Sequence, residues 1–211
     1  MKDSLVLIGG GGHCKSCIDV IESEGRFAIA GILDIPERQG EEIAGYPVIG
    51  VDDDIPVLAK THRHFFITMG HIKSPGFRIK MFDYLKTLDV EIPFIVSPHA
   101  HVSSSAKLGE GTIVMHNALV NSEAVVGSNC ILNSGCLVEH ETIVGDHCHI
   151  STMAVLNGQC RIGNRCFIGS STVLGNNISI NDDILVSAGS LVLRNLEKPG
   201  TYIGNPLRKI R

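Results

Sequence analysis

The sequence predicts two architectures in series. An α/β, Rossmann-like domain is expected over residues 1–97, and a parallel β-helix of hexapeptide repeats over residues 98–211. Three observations predict this. A β-rich run ends in the glycines Gly9 to Gly12, and strands and helices alternate after it. From Val102 a six-residue step meets Leu108, Val114, Val120, Val126, Leu132, Val138, Val144, Ile150, Leu156, Ile162, Ile168, Leu174, Ile180, Val186 and Val192, all aliphatic and without a slip in register. Aromatic residues make up only 5% of the chain and Trp is absent. Aliphatic and small side chains must therefore fill the core in some regular way.

The elements follow in order. Residues 5–8 read as a strand, and residues 14–24 as a helix with Cys17, Ile18, Val20 and Ile21 apolar among charges. Residues 27–33 are a second strand ending at Asp34, and Pro47-Val48-Ile49 an extended piece between Gly45 and Gly50. Asp52 to Asp54 caps a short helix through Lys60, with Pro56 in its first turn. Residues 64–69 read as a buried strand. Residues 76–88 read as a helix, with Phe77, Met81, Phe82 and Leu85 at helical spacing, and residues 91–96 as a further strand. Alternation of this kind builds a small parallel sheet flanked by helices.

The second half is a solenoid, because short-period self-similarity marks stacked coils. Each hexapeptide supplies a short strand and a turn, and three hexapeptides close one triangular coil. Coils then stack at about 4.8 Å, the ordinary interstrand distance. Four residues after each aliphatic the side chain is usually small, as at Ala106, Thr112, Ala118, Ala124, Cys130, Cys136, Thr142 and Cys148. Five of the seven cysteines (Cys130, Cys136, Cys148, Cys160 and Cys166) fall at this inward position and read as small apolar residues. Cys14 and Cys17 form a C-x-x-C that opens a helix, with nothing else to support a redox role. The tail 204–207 breaks the repeat.

Composition excludes several classes. Hydrophobic residues are 44%, mean hydropathy is +0.20 and the net charge is −4. The chain is too apolar for disorder and lacks the basic balance of a nucleic-acid binder. No apolar run approaches the roughly 18 residues of a membrane span. No secretory leader pattern opens it, so the chain reads as cytoplasmic with no membrane partner.

Several residues carry chemistry. His140 stands two residues after an inward aliphatic, so it faces out of the prism, with Ser122 and Gly158 at the equivalent positions of the coils before and after. It reads either as a solvated surface residue or as a general base whose tautomer Glu141 holds. His149 lies half a coil further on, in a different part of the prism, so a site using both must form between subunits. His147 and His116 read as outward-facing, without a role. Asn133 reads either as a turn residue bonding its own backbone or as a substrate contact. The glycine run reads either as a tight strand-to-helix turn or as a phosphate cradle at a helix start. Its partial match to a dinucleotide fingerprint fails at Cys14. Asp34 ends a strand where a carboxylate can accept hydrogen bonds from a base or ribose. Gly70 ends another, where a ligand can approach closely.

The glycine loop ending in His13, followed by hexapeptide repeats carrying Val138-Glu139-His140-Glu141, resembles the bacterial sugar O-/N-acyltransferase family over essentially the whole chain. That family includes nucleotide-amino-sugar N-acetyltransferases and sialic acid O-acetyltransferases. The resemblance implies a left-handed β-helix, acetyl-CoA as co-substrate and His140 as base with Glu141. It also implies a homotrimer with CoA in the groove between prisms. His149 is then expected near the acetyl group, with Gly158 and Ser170 along the CoA path. Gly11, Gly12, His13, Asp34, Ile35, Gly70 and Asn133 are expected at the nucleotide sugar. The family often has two acids where this chain has Asp34-Ile35, and the segment His71 to Gly76 departs from its usual polar loop. The implied reaction is N-acetylation of a nucleotide-linked amino sugar in surface-glycan biosynthesis. The alternatives are O-acetylation of sialic acid or a related sugar, a non-catalytic nucleotide-sugar scaffold, and a metal-dependent β-helix enzyme.

Overall fold

The computed structural model describes residues 2–205 and 208–210; the Pro206-Leu207 part of the expected tail break lies outside them. Strands β1 (Asp3–Ile8), β2 (Phe27–Leu33), β3 (Glu42–Ile43), β4 (Tyr46–Gly50) and β5 (His64–Ile67) form one sheet of order β3-β4-β2-β1-β5. All neighbours are parallel except the β3–β4 pair. Leu5 to Ile8 are buried on both faces, as a central parallel strand requires.

Helix α1 (Gly12–Glu24) ends at Gly25, whose φ of 71° allows its N–H to reach the Ile21 carbonyl at 3.0 Å. The predicted helix through Lys60 is shorter, a 3-10 turn over Asp52–Asp54 followed by α2 (Ile55–Leu58). The Lys60 and Thr61 N–H groups already bond three residues back, which closes the turn. Helix α3 (Gly76–Lys86) buries Met81, Phe82 and Leu85. Phe77, expected in that core stripe, is 56% exposed and stands at the start of the helix.

Residues 91–96 do not extend the first sheet. Glu91 makes an isolated bridge to His64, and Ile95–Val96 pair with Ile113–Val114. Ile95 and Val96 already form the first coil strand, because they stand one full coil before Ile113 and Val114.

From there the chain winds as a triangular prism, the left-handed β-helix that the resemblance implies. Two-residue strands fall in turn on three parallel faces. Face one holds the strands starting at Ile95, Ile113, Ile131, His149, Phe167 and Ile184. Face two holds those starting at His101, Leu119, Leu137, Val155, Val173 and Leu191, and face three those starting at Lys107, Val125, Ile143, Arg161 and Ser179. The inward aliphatics from Val114 to Val192 are buried, and the cysteines of the repeat are free and buried among them. Burial pushes the Cys136 thiol up to about 12.

The turns share one conformation. From Gly111 to Gly189 every sixth residue has φ between 54° and 68°, in the left-handed region. Gly111, Gly135 and Gly189 meet that demand with no Cβ, while Glu141, His147 and Gln159 meet it with side chains attached.

The two halves dock through face one. Cys14, Cys17, Ile18 and Ile21 of α1 pack against Ile95, Ile113 and Ile131, the outward residues of successive face-one strands. His116 ties the joint, its Nε2 donating to Asp19 Oδ2 at 2.7 Å and its Nδ1 bonded to Ser97 Oγ at 2.6 Å, so it is half-buried and not simply outward-facing.

Candidate functional site

The outward ladder of face one continues past α1 as His149, Phe167 and Leu185. Where the helix stops covering it, a pocket of about 890 Å³ opens between the prism and the strand ends of the first sheet. It brings together Gly11, Gly12, His13 and Gly70 from the first half with Asn133, His149 and Ser170 from the prism.

The glycines divide by role. A Cβ on Gly9 would lie 2.1 Å from Met69 Cγ, and one on Gly10 2.5 Å from Asp34 Oδ2, so these two permit close packing. A Cβ on Gly11 or Gly12 would meet nothing within 4 Å, so these two keep the loop open to the pocket. Gly11 caps α1 with no side-chain hydrogen bond, and the first turn holds no acidic residue. The uncommitted N–H groups of that turn therefore form a site for an anion. Thr68, which sequence reasoning passed over, donates its hydroxyl to the Gly9 carbonyl at 2.6 Å and fixes the loop.

His149 is held in one tautomer. Its Nδ1 lies 2.8 Å from the His71 carbonyl, which only accepts, so Nδ1 carries the proton. Its Nε2 then accepts from Asn133 Nδ2 at 3.2 Å, while Asn133 Oδ1 takes the Ser134 N–H at 2.8 Å. Phe167 stands edge-on at 5.1 Å. Burial holds the imidazole down to about 4, so it is neutral at physiological pH. His71 and His13 flank His149, their ring centroids 5.5 Å and 6.4 Å from its own. Burial, reinforced by Arg78, holds His13 to about 4; burial, with His149 and Arg78, holds His71 to about 3.

Arg78 lies beneath this group, 2% exposed. Its guanidinium donates to the carbonyls of Ile67 and Met69 and to Asn129 Oδ1 at 2.6 Å, with no carboxylate among these partners. It joins α3, the end of β5 and the prism, and contributes positive potential under the pocket. His147, expected outside, is half-buried at the same joint, bonded to Asn129 at 3.1 Å and edge-on to Phe82. Among the described residues no group of three His, Cys, Asp or Glu side chains is placed to hold a metal ion.

Asp34 and Ile35 line a separate pocket of about 270 Å³, with Asp52, Asp53 and Phe77 on its other walls. Met69 belongs to both pockets, which are therefore neighbours. Asp34 is not a free acceptor on both oxygens. Arg38 bonds its Oδ2 at 2.7 Å and the Gly10 carbonyl at 2.9 Å, so the acid also braces the glycine loop.

His140, Glu141 and Gly158 lie elsewhere. They occupy the corner between faces two and three, opposite face one. His140 Nδ1 is 3.3 Å from Glu141 Oε2, which also accepts from Gln159 Nε2 at 3.0 Å. The Gln159 bond, and after it His140, hold the Glu141 carboxyl below its ordinary value. Nδ1–H thus points to a carboxylate and Nε2 is left as the basic nitrogen. The ring lies across Gly158, where a Cβ would come within 2.6 Å of Nε2. The glycine makes room for the imidazole itself. One chain therefore presents the His140 pair on one corner and His149 with Ser170 on the far side.

Residues 4–85 match the PglD N-terminal domain family, and residues 93–197 match the GMPPB C-terminal domain family. No curated protein matches the chain. A histidine-to-asparagine variant of perosamine N-acetyltransferase from Caulobacter crescentus, in complex with CoA and GDP-perosamine, is 29% identical. The match covers 99% of this chain and 97% of that one, with a TM-score of 0.92. The acetyltransferase domain of PglB from Neisseria gonorrhoeae is 26% identical over 99% of this chain and 100% of its own, with a TM-score of 0.93. WeeI from Acinetobacter baumannii, 20% identical over 98% of this chain and 100% of its own, shares the fold with a TM-score of 0.84.

Proposed function

We infer that this chain, which belongs to the bacterial sugar acyltransferase family, transfers an acetyl group from acetyl-CoA to the amine of a nucleotide-linked amino sugar. The observation that carries the reading is the His140 corner. An imidazole whose Nδ1 faces a carboxylate and whose Nε2 is open is the arrangement of a general base.

Acetyl-CoA supplies a thioester carbonyl open to attack. His140 Nε2 receives the proton that the sugar nitrogen loses as the C–N bond forms, and the imidazolium passes that proton to the sulfur as the C–S bond breaks, so that CoA leaves as its thiol. Glu141, steadied by Gln159, stabilises the imidazolium. On this reading Gly11, Gly12 and His13 meet the nucleotide sugar with Gly70 and Asn133, and Asp34 and Ile35 line the place of the base. Ser170 and His149 lie toward the acetyl-CoA.

The separation of His140 and Gly158 from the pocket supports a homotrimer in which the corner of one prism completes the pocket of the next. Val125 and Ile143, each 37% exposed on face three, supply apolar surface for that contact. The half before the prism then acts as the nucleotide-sugar domain and the prism as the catalytic one. Use of cytoplasmic acetyl-CoA supports a cytoplasmic enzyme, and no helix among the described residues is long and apolar enough to cross a membrane.

The test is thiol release from acetyl-CoA against UDP-, GDP-, dTDP- and CMP-linked amino sugars, for the native chain and His140→Ala, with mass by light scattering. One sugar class should be turned over by a particle of about 68 kDa, three times 22.7 kDa. His140→Ala should lower kcat by about 10²–10⁴-fold. Turnover by a monomer, or an unchanged kcat in His140→Ala with every acceptor, overturns the mechanism.

A further inference from the structure

His71 lies in the segment where this chain departs from its family, and its ring makes none of the hydrogen bonds that hold His149. We propose that His71 is a substrate-binding residue, donating a hydrogen bond to the diphosphate of the nucleotide sugar at the N-terminus of α1. The inference rests on the reading that the nucleotide sugar occupies the glycine loop.

Four observations point to a ligand here. His71 is 9% exposed, and neither of its ring nitrogens has a hydrogen-bond partner among the described residues. Buried polar groups are ordinarily paired, so an orphaned imidazole marks a missing partner. His13 Nε2, on the opposite side of His149, is in the same state, and both rings line the same pocket. The N-terminus of the 13-residue α1 opens into that pocket without a side-chain cap, past two glycines that leave space. Finally, no Asp or Glu among the described residues lines the pocket, in a chain of net charge −4, and the buried Arg78 lies beneath it.

These features select one chemistry. A neutral imidazole has one N–H to give, and the α1 N–H groups are donors as well. The complementary ligand group carries negative charge and several acceptor oxygens, which a diphosphate does and a sugar hydroxyl or adenine ring does not. His149 cannot serve, because both its nitrogens are engaged. The hydrogen bond that His71 makes to His149 comes from its backbone carbonyl. A change of ring therefore leaves that hydrogen bond in place, and Phe at this position keeps an aromatic edge against His149.

Nucleotide and CoA both carry diphosphates, so the experiment separates them. Calorimetric titrations of the full chain with GDP, UDP, dTDP and CoA are run on the native protein, His71→Phe and His71→Ala, with Tm measured without ligand. Both variants should lose about 10- to 100-fold in affinity for the nucleoside diphosphate that the native protein binds, the value of one hydrogen bond to a charged group. CoA affinity should be unchanged. The Tm of His71→Phe should hold or rise, because orphaned polar atoms leave the interior. Unchanged nucleoside diphosphate affinity in whichever variant folds overturns the proposal, and a lowered Tm alongside it marks the ring as merely structural. A loss confined to CoA overturns the assignment to the nucleotide sugar. If the native protein binds no nucleoside diphosphate, the reading of the glycine loop fails and this proposal with it. If the native protein binds and the variants bind equally, only this proposal fails.

Discussion

Replacing Gly158 by Ala separates two roles for that position. A methyl group there would lie 2.6 Å from His140 Nε2 and 2.7 Å from Cε1. Ordinary contact is about 3.5–4.0 Å, so the imidazole must retreat by about 1 Å. Gly158 is not in the left-handed region, so its backbone accepts alanine. The His140 side chain is half exposed and can swing aside, so stability should change by about 0.5 kcal/mol or less. A base misplaced by that distance costs about 10² in rate. Gly158→Ala should therefore lower kcat about 100-fold with a native Tm, and should add nothing when combined with His140→Ala. The assay is thiol release with acetyl-CoA and acceptor varied separately, beside thermal unfolding. A raised KM for acetyl-CoA with kcat intact would mean that Gly158 only borders the CoA path. An additive double variant would mean that the ring's seat on Gly158 is irrelevant to chemistry.

Gly12→Leu should keep the native Tm, since an added Cβ meets nothing within 4 Å, while raising the acceptor KM about 10-fold and leaving that for acetyl-CoA alone; equal loss for both substrates would show that the loop does not belong to the sugar. Acid should destabilise the fold early. His13, His71 and His149 sit at about 4, 3 and 4, below the 6.5 they regain on unfolding. The unfolded chain thus binds protons first, so stability is fully present above about pH 6.5 and is lost as pH falls toward 4 and below, by up to about 4 kcal/mol per pH unit for three groups. Denaturant midpoints from pH 7 to 4.5 check this, and a flat profile would refute the neutral, buried histidines.

Much of the fold was legible because the prism imposes an arithmetic on its residues. A triangular cross-section needs one inward aliphatic per hexapeptide, and the chain supplies it from Val102 to Val192. The outward positions obey an arithmetic too, and it went unread. Ile95, Ile113 and Ile131 are apolar at intervals of one coil, which marks a face that something covers, and His149 follows them at the edge of that cover. Periodicity made Phe77 a core residue, yet at the first turn of α3 it faces the small pocket. Residues 91–96 have a strand's composition, but composition does not say which sheet a strand joins. The left-handed turn at every sixth residue was hidden because side chains such as Glu141 and Met153 adopt it against their preference. His71 and Arg78 were invisible for a related reason. Burial without a partner, or with only carbonyls for partners, is a property of assembled elements and has no local signature.

The coil spacing also fixes the step by which this chain can change length. Leu119 pairs with Leu137, and Leu137 with Val155, so each face recurs after three hexapeptides. Loss or duplication of three consecutive hexapeptides shortens or lengthens the prism by one storey and leaves every side chain downstream pointing the same way. Loss of a single hexapeptide keeps the hydrophobic pattern intact, and such a chain would still wind. Everything after the cut, however, would be turned by a third of a revolution, carrying Ser170 and Leu185 from the pocket to another wall. Deletions of one hexapeptide and of three, each ending just before Ile168, would look alike in secondary structure while differing in which surfaces remain assembled.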